Sequence, residues 1–96
     1  MFLDSKRTAT DTINKQIRHK IYNNRKWRRI RALKFANSPL CEDCLLVGVC
    51  SITTEIHHIV PIDIDPTLAY VYHNLRALCV DCHHKVHIKL KKAIAN

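Results

Sequence analysis

Cys41, Cys44, Cys79 and Cys82 stand in two Cys-x-x-Cys pairs, and no other feature of this 96-residue chain restricts its fold as tightly. The two-residue gap lets both sulfurs of a knuckle reach one ion without strain, so two knuckles can close a tetrahedral thiolate site around zinc. A chain this short buries a limited fraction of its surface, and a hydrophobic core alone would be marginal without a staple. The first ten residues carry charge early and are followed by no apolar stretch, which predicts the absence of a secretory signal. In that setting the cysteine pairs favour metal over disulfides. The alternative, four unrelated buried cysteines, leaves the paired spacing unaccounted for. Four thiolates with no open position suit a structural zinc ion. The 34 residues between the knuckles exceed the roughly 15–20 of a zinc ribbon, so they must form a structured insertion. Cys50 has no partner in this scheme and reads as a small apolar residue.

The length suits one domain spanning residues 1–96, with a basic helical part over 1–36 and a stapled part over 41–94. No apolar run approaches the roughly 20 residues that span a bilayer, so the chain is expected to be soluble and cytoplasmic. Its net charge of +8 is unevenly placed. Residues 1–40 hold eleven Lys/Arg against two Asp, and residues 41–96 hold five against six Asp/Glu. Eight basic residues lie between Arg18 and Lys34 with no acid among them. Such a block attracts a polyanion by counterion release and steers it electrostatically. A solvated helix face is the plainer reading of the same charges. A membrane surface fits less well, because the block lacks an amphipathic face with bulky anchors.

Along the chain, Thr10 or Asp11 is expected to cap a helix reaching Tyr22, and Asn23-Asn24 interrupts it. A second helix fits residues 25–36 and stops at Asn37-Ser38-Pro39. On it Trp27, Ile30 and Leu33 share one side, with Trp27 as a core anchor. Arg25, Arg28 and Arg29 face away and are left free to meet phosphate. Residues 52–59 read as a strand, 60–70 as a loop, 75–79 as a second strand and 80–94 as a last helix. On that helix Cys82, Val86, Leu90 and Ala93 share a face, and His83 and His87 lie together on the neighbouring one. Helix, helix, strand, strand, helix is an α+β order.

The insertion and the last helix carry the chemistry. Their informative residues are Glu55-Ile56-His57-His58-Ile59-Val60-Pro61, then His73-Asn74-Leu75, then Cys82-His83 and His87. His83 and His87, four apart on a helix, present two imidazoles at the spacing a metal needs. A third ligand can come from the His57-His58 pair. Adjacent side chains of a strand point in opposite directions, so one of the pair can bind metal while the other reaches across a substrate.

Together these residues resemble the HNH, or ββα-metal, nuclease family in the zinc-stapled form common among phage-encoded enzymes. The resemblance covers roughly residues 22–87, since Tyr-Asn-x-x-x-Trp-Arg-x-Ile-Arg before Pro-Leu-Cys-x-x-Cys belongs to it. It implies a ββα-metal motif with a four-cysteine zinc site and N-terminal helices. It also implies that His57 takes the first metal-ligand position, His58 the general-base position, and His83 that of the last motif histidine, a metal ligand. Asn74 matches the central asparagine, which pins the loop so that the base stays aimed. Separations of nine and thirteen residues from Asn74 to His83 and His87 match the colicin-type pattern and make His87 a third protein ligand. His73 and His84 match no functional position. The loop over residues 62–72 lacks the glycines frequent in relatives and carries Leu68, Tyr70 and Val71, which implies different packing there.

The implied activity is hydrolysis of DNA phosphodiester bonds to 5′-phosphate and 3′-hydroxyl ends, with a divalent metal and a histidine base. The ion is magnesium, manganese, nickel or zinc: a histidine-rich site holds zinc or nickel tightly, while magnesium prefers oxygen ligands. At family level a phage origin, and a place beside the terminase in genome packaging, follow only by association. Two rival readings remain. A non-catalytic zinc module binding DNA explains the charge and the cysteines but not the histidines and asparagine. A metal-storage or protein-interaction domain explains less still.

Overall fold

The computed structural model describes residues 9–95, with side chains described over 12–89. Among the described residues the fold is α+β, with four α-helices and one two-stranded antiparallel sheet. The elements run α1 (Ala9–Tyr22), α2 (Arg25–Asn37), α3 (Glu42–Leu46), β1 (Glu55–His58), β2 (Leu75–Leu78) and α4 (Val80–Ala95). Among them no helix is long and apolar enough to cross a membrane. Residues 1–8, where a secretory signal would begin, lie outside the described residues, as do the side chains of Leu90 and Ala93.

Helices α1 and α2 part at Asn23-Asn24 because the asparagines satisfy the broken ends. The Asn23 and Asn24 N–H groups donate to the carbonyls of His19 and Ile21, and the Asn24 side chain accepts from the Lys26 N–H at 2.7 Å as N-cap of α2. Thr10 and Asp11, expected as caps of α1, instead lie within it, since the helix already includes Ala9. The knuckle at Cys41 is itself the start of a short helix, α3, which periodicity could not show in five residues. Gly48 follows at φ 76°, a left-handed conformation that a side chain would strain.

In the sheet, Glu55 pairs with Leu78, His57 with Arg76 and His58 with Leu75. The strand expected over residues 52–59 is therefore shorter. Its first part turns to a different neighbour: Ile52 bridges Leu40, and Thr53 bonds back to Pro39 and Ser38.

Two small cores flank the hairpin. One gathers Cys41, Leu78 and Cys79, with Cys44, Cys82 and Val86 against it. The other packs Ile21 of α1 on Ile62 and Ala69 of the interstrand loop, with Ile17 and Tyr70 alongside. Of the loop's bulky residues Leu68, Tyr70 and Val71, only Tyr70 packs on this core, and Val71 is exposed. Asp65 and Pro66 begin a short 3-10 turn there, capped by the Asp65 carboxylate on the Thr67 N–H at 3.0 Å.

Helix α2 corrects one expectation. Trp27 is buried, but Leu33, placed with it on the core side, is 52% exposed. The second buried residue is Lys34, seven positions on from Trp27. Its ammonium lies 3.0 Å from the Glu42 carboxylate and 5.0 Å from the centre of the Tyr72 ring. Glu42 also accepts from the Ala77 N–H of β2 at 2.7 Å. Burial alone would raise the Glu42 carboxyl, but the Ala77 N–H and the Lys34 charge outweigh it and hold the group below its usual range. Lys34 thus joins α2, the first knuckle and β2, and is withdrawn from the basic surface.

Candidate functional site

The knuckles converge. The four sulfurs of Cys41, Cys44, Cys79 and Cys82 lie within 4.8 Å of one another, with Cys44 Sγ 3.8 Å from Cys79 Sγ and 3.7 Å from Cys82 Sγ. None is disulfide-bonded. Tetrahedral zinc with Zn–S bonds of about 2.3 Å requires sulfurs about 3.8 Å apart, so the donor set fits that ion. Sulfurs this close cannot all ionise without a cation. The Cys82 N–H holds the Cys79 thiol down to about 6, while burial and the neighbouring sulfurs push Cys82 up to about 12. Cys50, read as a small apolar residue without a partner, is a free, exposed cysteine.

The histidines converge separately. Alternation along β1 sends His57 toward α4 and His58 to the other face. One nitrogen from each of His57, His83 and His87 falls within 4.8 Å of the others. The Nε2 atoms of His83 and His87 are 3.2 Å apart, between the roughly 3.0 and 3.4 Å that octahedral and tetrahedral donors at about 2.1 Å from an ion would span. Burial and the nearby imidazoles push His57 down to about 4, and burial lowers His83 as well. Rings held neutral offer lone pairs, the state a metal ligand needs. Glu55 faces the other nitrogen of His83, 3.9 Å from Nδ1.

His58 is buried, and burial lowers its basicity against the opposing pull of a carbonyl. Its Nε2 lies 3.0 Å from the Ala69 oxygen. A carbonyl can only accept, so Nε2 carries the proton and Nδ1 of the neutral ring is bare. Asn74 holds the loop that presents this carbonyl. Its Oδ1 accepts from the Val60 N–H at 2.8 Å, and its Nδ2 donates to the oxygens of Val60 at 3.1 Å and Leu68 at 3.2 Å. The Trp27 indole stacks on the His58 ring, with centroids 4.8 Å apart and planes 26° from parallel.

His57, His58, His83 and His87 all line one open cleft of about 400 Å³. Its cationic residues are Arg18 and Arg31. Arg25, Arg28 and Arg29 are exposed and do not line it, and Arg28 donates to the Asn23 oxygen at 3.3 Å. Arg31 and Arg18 were not singled out by sequence although a signal existed. Arg31 is four residues after Trp27, and Arg18 four before Tyr22, so each shares a helix face with an aromatic of the cleft. Arg18 holds both oxygens of Asp63 at 2.6 Å, and Arg31 lies over the Phe35 ring at 4.7 Å. His73 and His84 are exposed.

Comparison with curated proteins found no match. Among solved structures, the chain is similar to the HNH endonuclease of the deep-sea thermophilic bacteriophage GVE2, whose crystal structure includes a manganese ion. The two share 25% sequence identity at a TM-score of 0.78, over 85% of this chain and 90% of that one. The family model for HNH endonuclease matches residues 41–89, which takes in both knuckles, the hairpin and the three convergent histidines. On that match, over half its length, this chain belongs to the HNH endonuclease family.

Proposed function

We propose that this chain is a metal-dependent endonuclease that hydrolyses DNA phosphodiester bonds, with His58 as general base, Asn74 as the residue that keeps it aimed, and His57, His83 and His87 as ligands of one divalent ion. The observation that carries this reading is the convergence of three imidazole nitrogens in a cleft that His58 also lines. In the reaction His58 takes a proton from water at Nδ1. The water oxygen bonds to phosphorus as the bond to the 3′ oxygen breaks, and that oxygen leaves as a hydroxyl after taking a proton from solvent. An ion bound at the three histidines supplies positive charge to the phosphoryl oxygens and the leaving oxygen. Manganese, nickel or zinc suits three imidazoles better than magnesium does. Cys41, Cys44, Cys79 and Cys82 hold structural zinc apart from the chemistry. On this reading Arg31 meets the phosphate nearest the cut, and Arg18, paired with Asp63, flanks it.

Supercoiled plasmid tests the reading. Zinc-replete protein with added manganese or nickel should convert it to open-circular or linear forms, and a His58→Ala preparation purified in parallel should not. Binding without cutting under every one of these ions would instead establish a non-catalytic DNA-binding module.

Arg25, Arg28 and Arg29 supply the second test. On this proposal they meet phosphates flanking the cleft, which position the duplex without reading bases. Reversing all three charges should weaken DNA affinity equally across sequences and flatten its salt dependence by about one unit for each phosphate no longer neutralised. Salt titrations of binding to two unrelated duplexes measure both effects. An unchanged slope would reduce this face of α2 to a solvated surface.

A further inference from the structure

We propose that Trp27 is a positioning residue for cleavage: its indole, braced by Tyr22, sets the plane of the His58 ring so that Nδ1 is presented to the cleft. The proposal rests on the reading of His58 as base. A histidine ring turns about a broad, two-fold terminal torsion, so the strand that carries it does not fix its plane. The Ala69 carbonyl holds one vertex at 3.0 Å, yet a single hydrogen bond leaves the ring free to tilt about that point. The indole removes this freedom, because it lies against the ring face at 4.8 Å and 26°. Trp27 is itself held, with 6% of its surface exposed and Tyr22 meeting it edge-on at 5.5 Å and 69°. The pair assembles because α1 ends at Tyr22 and the Asn23-Asn24 break brings Trp27 into the first turn of α2. Both aromatics precede residue 41, outside the segment matched to the family.

A tryptophan that only filled space would, when shortened, cost stability and leave the rate of the folded protein unchanged, whereas one that sets a plane needs an aromatic face. Trp27→Leu and Trp27→Phe separate these roles in the full chain carrying its zinc. Trp27→Leu should lower kcat for plasmid nicking by about 10- to 100-fold, the range expected when a reacting group is displaced by about an ångström. KM and the affinity for manganese measured by calorimetry should hold. Without added manganese, the His58 Nε2–H resonance should broaden through faster exchange with water. Trp27→Phe should restore most of both. If Trp27→Leu fails to fold, Tyr22→Leu loosens the brace without emptying the core, since Tyr22 is 45% exposed. It should lower kcat less and broaden the same resonance. Native kcat and a sharp His58 resonance in the folded leucine variants, with His58→Ala inactive, would show that Trp27 only packs and overturn the proposal. A His58→Ala variant that still cleaves would remove the base reading, and the proposal with it, which is a distinguishable result.

Discussion

His58→Ala should lower plasmid cleavage by about 10²–10⁴-fold, the usual cost of losing a general base, while metal and DNA affinity stay close to native. The asymmetry follows from geometry. His58 is not among the convergent nitrogens of His57, His83 and His87, and its hydrogen-bond partner is the Ala69 carbonyl. His83→Ala should behave differently, losing metal affinity first and activity as a consequence, because one of three imidazoles is gone. Excess metal should then return part of the activity of His83→Ala and none of that of His58→Ala. Calorimetry and nicking assays on both variants decide the matter. Loss of metal by His58→Ala, with retention by His57→Ala, would exchange the two roles.

The native protein should carry one tightly held zinc ion, and Cys44→Ser should unfold it. Cys44 Sγ is within 3.8 Å of two other sulfurs that lie 35 and 38 residues away in sequence, so its removal breaks the closure between the first knuckle and the second. Structural zinc contributes about 10–16 kcal/mol in small metal-folded peptides. Whole domains are stable by only about 5–15 kcal/mol, so little would remain without it. Elemental analysis and thermal unfolding provide the check. A metal-free preparation that still unfolds cooperatively, or a well-folded Cys44→Ser variant, would contradict it.

The parts of the fold legible in the sequence are those with strong local chemistry. Two Cys-x-x-Cys pairs pointed to one ion, and the 3.6-residue period of α4 set His83 and His87 on one face beside the Cys82–Val86 stripe. What escaped was decided by partners distant in sequence. Leu33 and Lys34 are neighbours on α2, and periodicity put the leucine inside. The structure buries the lysine because Glu42, eight residues on and in another element, is there to pair with it. Ile52 left the strand because Leu40 was available as a partner. In the site, the alternation of β1 separated His57 from His58, but no local pattern reveals that Trp27 stacks on the one and not on the other. Arg18 and Arg31 were lost among eight similar charges, since composition cannot say which of them line a cleft.

The division of the apolar interior into two cores has a consequence for how the molecule yields to heat or denaturant. The sulfur-anchored core holds the second knuckle, β2 and the start of α4, and so keeps His83 and His87, the proposed metal ligands, in register with the hairpin. The core under α1 rests on Ile21, Ile62 and Ala69, with no sulfurs in it, and it carries the carbonyl that orients His58. Proteins open in contiguous units of unequal free energy, and with the proposed zinc staple in place the unit without sulfurs is the one expected to open first. Sub-global opening that lifts α1 from the loop would then release the carbonyl that orients His58, the proposed base, while the proposed zinc site stays closed. On the proposed function, persistence of the fold and readiness to cut are expected to be separate equilibria, each governed by its own core.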